Sequence, residues 1–160
     1  MADAPDRPLA GRRIAEVLAT STGGVGTHVR SVLAPLSAAG AWPRVCGPRA
    51  TDALFGFSAA AAFRPVGISG GLDPVADVRA VWALRRATAG AELVHAHGLR
   101  AGLVAAAARR AAGEPDRPLV VTLHNALPPG EGPKARLLAA LERATAVSYT
   151  HLTLPTILRV

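Results

Sequence analysis

Ile14-Ala-Glu-Val-Leu-Ala19 runs straight into Thr20-Ser-Thr-Gly-Gly-Val-Gly26 and then Thr27-His28, and this passage decides the fold. A short, mostly apolar run has the length of a strand, and the turn residues that abruptly replace it mark the strand's exit. Beyond the glycines, Val25, Val29, Val32, Leu33 and Leu36 recur at helical spacing, and Gly40 supplies a C-terminal stop. Pro35 lies inside this pattern and is expected to kink or shorten the helix. A strand leaving through glycines into a helix is the first half of a βαβ unit.

The pattern continues outward. Trp42-Pro-Arg-Val-Cys-Gly47 and Phe63-Arg-Pro-Val-Gly-Ile68 are candidate second and third strands, both interrupted by proline. From Pro74 to about residue 89, Val75, Val78, Val81 and Trp82 give an amphipathic helix, with Asp73 placed to cap it. Ala91-Glu-Leu-Val-His-Ala96 reads as a fourth strand leading into His97-Gly98, and the alanine-rich stretch from Arg100 to Ala112 as a helix. Pro118-Leu-Val-Val-Thr-Leu123 is a β-branched fifth strand ending in His124-Asn125, and a last helix carries Leu137, Leu138 and Leu141. Alternating strands and helices predict an α/β fold, a doubly wound parallel sheet of Rossmann-like type. Ligands of such sheets sit beyond the carboxyl ends of the strands, where the turns at residues 20–28, 97–98 and 124–125 would gather.

Composition narrows the function. The chain of 160 residues suits one domain, and with 50% hydrophobic and 18% charged residues it has the balance of an ordered protein. No apolar run approaches the length of a membrane span, and the first residues lack the pattern of a signal peptide. Cys46 is the sole cysteine, which suits a reducing cytoplasm. The net charge of +7 is almost wholly arginine, scattered and without interleaved aromatics, so nucleic acid is not an expected partner. A basic face does suit peripheral association with an anionic membrane, at its cytoplasmic side.

Three clusters bear on chemistry. Gly23-Gly24-Val25-Gly26 opens a helix, where missing Cβ atoms allow close backbone approach and unpaired amides face an anion; a tight turn with no ligand is the other reading. It is not a P-loop, since no Gly-Lys-Ser/Thr follows, nor the GxGxxG dinucleotide fingerprint, whose later acidic residue is missing. His95 and His97 stand two apart, so on a strand both face one side. No carboxylate or cysteine cluster completes a ligand set with them, so no metal and no cofactor is expected. His95 then reads as a strand-end packing residue, and His97 as a loop residue at the cleft whose role is functional or structural. His124 could donate to a substrate hydroxyl or phosphate with Asn125 fixing its orientation, or be a satisfied, partly buried histidine. No GxSxG elbow, Ser-His-Asp series or carboxylate pair supports a hydrolase.

Taken in order, Gly23-Gly-Val-Gly-Thr-His28, Glu92-Leu-Val-His-Ala-His-Gly98 and Leu119-Val-Val-Thr-Leu-His-Asn125 resemble the N-terminal domain of family 4-like retaining glycosyltransferases of the GT-B fold. The resemblance covers residues 14 to about 146 and implies one half of a two-domain enzyme transferring a sugar from a nucleotide-sugar donor to an acceptor. It places Gly23, Gly24 and Gly26 at the donor diphosphate and His124 beside the transferred sugar as the catalytic residue. His28, His97, Arg100 and Asn125 would line the acceptor side or the cleft. It implies metal-free catalysis, in which electrostatic stabilisation of the leaving diphosphate is the protein's main task. The basic pair and the Glu-x7-Glu motif that hold the donor belong to a C-terminal domain that this chain lacks, so the chain alone is expected to be inactive.

The domain boundaries follow: a flexible N-terminus over 1–13, the Rossmann-like domain over 14–146, and a tail over 147–160. That tail holds the only tyrosine and no alanine or glycine, and Val147-Ser-Tyr-Thr-His-Leu152 resembles the translated transposon end of a sequencing library. Tyr149 and His151 therefore carry no functional weight. Two other readings stay open: a GT-B sugar-nucleotide epimerase fragment, and a non-catalytic Rossmann-like module for a nucleotide or phosphorylated ligand.

Overall fold

The computed structural model describes residues 7–71 and 73–123. Five strands, β1 (Arg13–Leu18), β2 (Trp42–Gly47), β3 (Ala62–Pro65), β4 (Leu93–His97) and β5 (Leu119–Thr122), alternate with four helices, α1 (Gly24–Ala38), α2 (Arg49–Phe55), α3 (Pro74–Ala87) and α4 (Leu99–Ala111). All strand pairs are parallel, in the order β3-β2-β1-β4-β5. The first two crossovers run outward from β1 and the chain then returns to start β4 on its other side. Right-handed connections accordingly put α1 and α2 on one face and α3 and α4 on the other. The strand order reverses between β1 and β4, the switch point of a doubly wound sheet.

Each face has its own packing. On the first, Leu18, Val29, Leu33, Val45 and Phe57 are buried together, with Phe55 and Phe63 against them. On the second, α3 packs on α4, and α4 lies over β1, β4 and β5. Ala101, Gly102, Ala105, Ala106 and Ala108 are buried along α4, so the alanines that favour the helix also let it sit close to the sheet.

Local outcomes refine the sequence reading. Helix α1 continues through Pro35 to Ala38. The ring costs only the bond to the Ser31 carbonyl, and Pro35 is exposed near the helix end, so the chain keeps its course. Gly40, at φ +91°, stops α1 as expected; its amide donates to the Ser37 carbonyl and that of Ala41 to the Leu36 carbonyl, both at 3.0 Å. Asp73 caps α3, accepting from the amides of Val75 and Ala76 at 3.1 Å.

Strand β3 ends at Pro65 instead of reaching Ile68. Val66 and Ile68 are still buried, but the chain leaves the ladder and crosses toward the end of β1, where the Ile68 carbonyl accepts from the Thr20 amide at 2.9 Å. Helix α2 did not figure in the sequence reading, because seven residues are too few to show a period. Its signals were Pro48 at the N-cap and Gly56 in the left-handed region at the other end. The helix expected around Leu137, Leu138 and Leu141 lies outside the described residues. No helix among the described residues is long and apolar enough to cross a membrane.

Candidate functional site

The switch point opens into a recess of about 240 Å³ at the carboxyl edge of the sheet, lined by Thr20, Ser21, Val25, His97, Gly98 and Arg100, among others. The turn after β1 delivers Thr20 and Ser21, α1 delivers Val25, and the end of β4 with the turn into α4 delivers His97 and Gly98. A second recess of about 220 Å³ lies at the opposite edge around Trp42 and Pro43 and holds none of the polar turns, so the chemistry belongs to the carboxyl edge.

Ser21 builds the turn into α1. Its hydroxyl accepts from the amides of Gly23 at 3.4 Å and Gly26 at 3.3 Å, while its own amide donates to the Thr51 hydroxyl at 3.4 Å. Gly23, the N-cap, offers no side chain, so the first turn of α1 presents its remaining amides to the edge. A Cβ on Gly23 or Gly24 would meet open space, leaving the backbone approachable there.

Gly26 has another reason to be glycine: a Cβ there would come within 2.2 Å of the Phe55 ring. Its small size serves the packing of α1 on α2, like the packing glycine of a Rossmann turn. Gly26→Ala should therefore cost a net ~1–2 kcal/mol, overpacking outweighing the gain in helix propensity. Urea denaturation checks this: restored stability on adding Phe55→Leu supports the packing role, and a stabilised single variant refutes it.

Arg100, in the first turn of α4, is tethered. Its Nη2 pairs with Asp77 on α3 and its Nε donates to the Ser69 carbonyl at 3.3 Å. The guanidinium is thus a fixed positive wall, partly neutralised by Asp77. With the amino ends of α1 and α4 opening on the same edge, the recess suits an anionic group.

Beneath it lies a buried polar network that sequence reasoning missed. Glu16 is the register partner of His95, and His97 follows on the same face. His95 Nδ1 and His97 Nε2 stand 2.9 and 2.7 Å from Glu16 Oε2, and His95 Nε2 stands 2.8 Å from the Thr122 hydroxyl. His28 on α1 meets the His97 ring edge-on, centroids 5.5 Å apart. Two expectations are corrected. His97 is the last residue of β4 and buried, rather than a loop residue, because β4 runs one residue further than its apolar pattern. A carboxylate does complete a set with the two histidines, and it comes from β1, far away in sequence. The signal available was one acidic residue inside an apolar strand, a type almost never buried without partners.

The electrostatics follow from burial. Burial alone would raise the Glu16 carboxyl, but the hydrogen bonds and charges of His95 and His97 together outweigh it and hold its pKa below the ordinary value. Burial lowers His97, against the pull of Glu16. Near neutral pH a carboxylate thus accepts from a neutral His97. His124 and Asn125 lie outside the described residues.

Cys46, on β2, takes no part. Burial pushes its thiol up to about 12, so it stays protonated at neutral pH. Thiol reagents should label it only after denaturation; rapid labelling of the native chain would contradict its burial.

The glycosyl transferase 4-like domain family matches residues 23–156, starting at the first glycine of the turn and running past Val147. Comparison with curated proteins gives no match. The chain is similar to the crystal structure of the glycotransferase of kitacinnamycin, at 18% identity and a TM-score of 0.55, over 88% of this chain and 38% of that one. It is likewise similar to the crystal structure of MurG from Acinetobacter baumannii, at 19% identity and a TM-score of 0.58, over 82% of this chain and 39% of that one. The likeness is one of fold, and the chain spans less than half the length of either structure. The parallel sheet is one half of a GT-B fold, and the chain, a glycosyltransferase-like domain, belongs to the glycosyl transferase 4-like domain family.

Proposed function

We propose that this chain is the N-terminal, acceptor-side half of a family 4 glycosyltransferase of hexosyltransferase type, which moves a sugar from a nucleotide-sugar donor to an acceptor with retention of anomeric configuration. The observation that carries the reading is the convergence of Ser21 and Val25, on either side of Gly23 and Gly24, with the α4 amino end and Arg100 on one recess at the switch point. That is an electropositive wall for the diphosphate and its neighbours. Gly23 and Gly24, with the backbone at Gly26, would approach the diphosphate. His28, His97, Arg100 and Asn125 would shape the acceptor side, His97 through its place in the wall. By resemblance, His124 would stand beside the transferred sugar.

The donor-binding half would be a second Rossmann-like domain, consistent with the coverage of 38% and 39% of the two similar structures. The enzyme would work in the cytoplasm, its basic surface holding it peripherally at the inner face of the membrane. The test is made on the full reading frame of the gene, read from an independent library. The complete protein should transfer labelled sugar from a nucleotide sugar to acceptors in a cell extract, with retained configuration. His124→Ala should lower the rate by about 100-fold, and the 160-residue chain should transfer none. Transfer by the isolated chain, or a reading frame with no second domain, would overturn the proposal.

A further inference from the structure

We propose that Glu16, His95 and His97 form a binding site for a divalent transition-metal ion of the zinc class, at the switch point between β1 and β4. Each side chain brings one donor atom, and the three atoms lie within 4.8 Å of one another. Two strands in fixed register supply them: Glu16 stands opposite His95, and His97 follows two residues on, so the donors converge by sheet geometry rather than by loop flexibility. Two imidazoles and a carboxylate are the nitrogen and oxygen donors such ions take, and a three-residue set leaves a further position open.

The donor atoms are close to the spacing an ion needs. A tetrahedral ion with bonds of about 2.1 Å sets its ligand atoms roughly 3.4 Å apart. The present separations from Glu16 Oε2 are 2.7 and 2.9 Å and all three donor atoms lie within 4.8 Å of one another, so the ion enters by a rearrangement of the rings about the carboxylate. In the metal-free chain the imidazole N–H groups point at the carboxylate. On binding, each ring turns a lone pair of that nitrogen to the ion and carries its N–H on the other nitrogen.

For His95 that other nitrogen is Nε2, already 2.8 Å from the Thr122 hydroxyl, which then accepts the N–H. A histidine ligand oriented through its second nitrogen by an outer partner is the usual arrangement at metal sites. Cys46 stands on β2 with its thiol toward the Ala87 carbonyl, so no thiolate shifts the preference to softer ions. The ion would pin β1 to β4 beneath the recess. This assignment stands apart from the transferase reading, which needs no metal.

The 160-residue chain, untagged and stripped with chelator, is titrated with Zn²⁺ by calorimetry and with Co²⁺ by visible absorption. One ion should bind per chain, with the d–d absorption of a low-symmetry cobalt site. Glu16→Gln and His95→Asn should each weaken binding at least about 10-fold, and Thr122→Val, which leaves the three ligands in place, about 10-fold. His151→Gln should leave it unchanged. Circular dichroism checks that each variant folds. Failure of the wild-type chain to bind one ion overturns the site, as does undiminished affinity in folded Glu16→Gln and His95→Asn. In either case the three residues form a hydrogen-bonded network only, and the transferase reading is untouched.

Discussion

Glu16→Ala should destabilise the metal-free chain by about 3–5 kcal/mol, measured by denaturant unfolding. The carboxylate is buried and accepts from both His95 and His97. Alanine removes the acceptor and leaves two ring N–H groups facing an apolar void, where an unsatisfied donor costs about 1–3 kcal/mol. Glu16→Gln keeps a carbonyl oxygen of similar reach and loses only the charge assistance, so its cost should be smaller, about 1–2 kcal/mol. Equal, sub-kilocalorie effects of the two substitutions would show that the network contributes nothing to folding.

The same residues set the direction of the pH dependence. The pKa values of Glu16 and His97 are both lowered in the fold, from 4.5 and 6.5 respectively. For each, the unfolded chain takes up a proton at a higher pH than the folded chain, so stability rises with pH across that interval. The His97 contribution is complete above 6.5 and lost as pH falls through its folded value, and that of Glu16 is complete above 4.5 and lost below that in the same way. The unfolding midpoint of the metal-free wild-type chain should therefore fall between about pH 7 and about pH 4, and Glu16→Ala should flatten the lower part of that profile. A wild-type midpoint that rises on acidification would contradict these protonation states.

What sequence could and could not disclose follows from the range of the interactions. The βα turn at Thr20 to Gly26, the stop at Gly40 and the cap at Asp73 are local: each rests on neighbours within a few residues, and each was legible. The doubly wound parallel sheet was legible too, because strands alternating with helices imply right-handed crossovers with helices on both faces; the order of the strands within it comes from the structure. Glu16 was not, since its partners on β4 lie about eighty residues away and only register brings them opposite. The neighbour of Gly26 was hidden for the same reason: Phe55 stands on a helix too short to display a period. Arg100 was singled out in the sequence, but its clamp by Asp77 and the Ser69 carbonyl is tertiary. The recess is thus made of legible turns, held in place by contacts that were not legible.

Gly98→Ala should cost about 1–3 kcal/mol and disturb the recess as well. Gly98 has φ +88° and ψ 162°, a backbone region that glycine enters freely and other L-residues essentially do not. The turn cannot relax locally. Its amide donates to the Thr122 carbonyl at 2.8 Å and its carbonyl accepts from the Gly102 amide at 3.0 Å, so one residue joins β4, β5 and the first turn of α4. An added Cβ meets open space, which makes the expected loss one of backbone strain rather than collision. To relieve that strain the chain must rotate Leu99 and Arg100, which line the recess, or pull His97 away from Glu16. Unfolding experiments should give the loss in stability, and histidine NMR of the folded variant should show shifted His97 ring resonances. A D-alanine at this position, introduced by semisynthesis, adopts positive φ readily and should restore most of the stability. Equal stability of the L- and D-alanine chains would mean that the turn does not require this conformation.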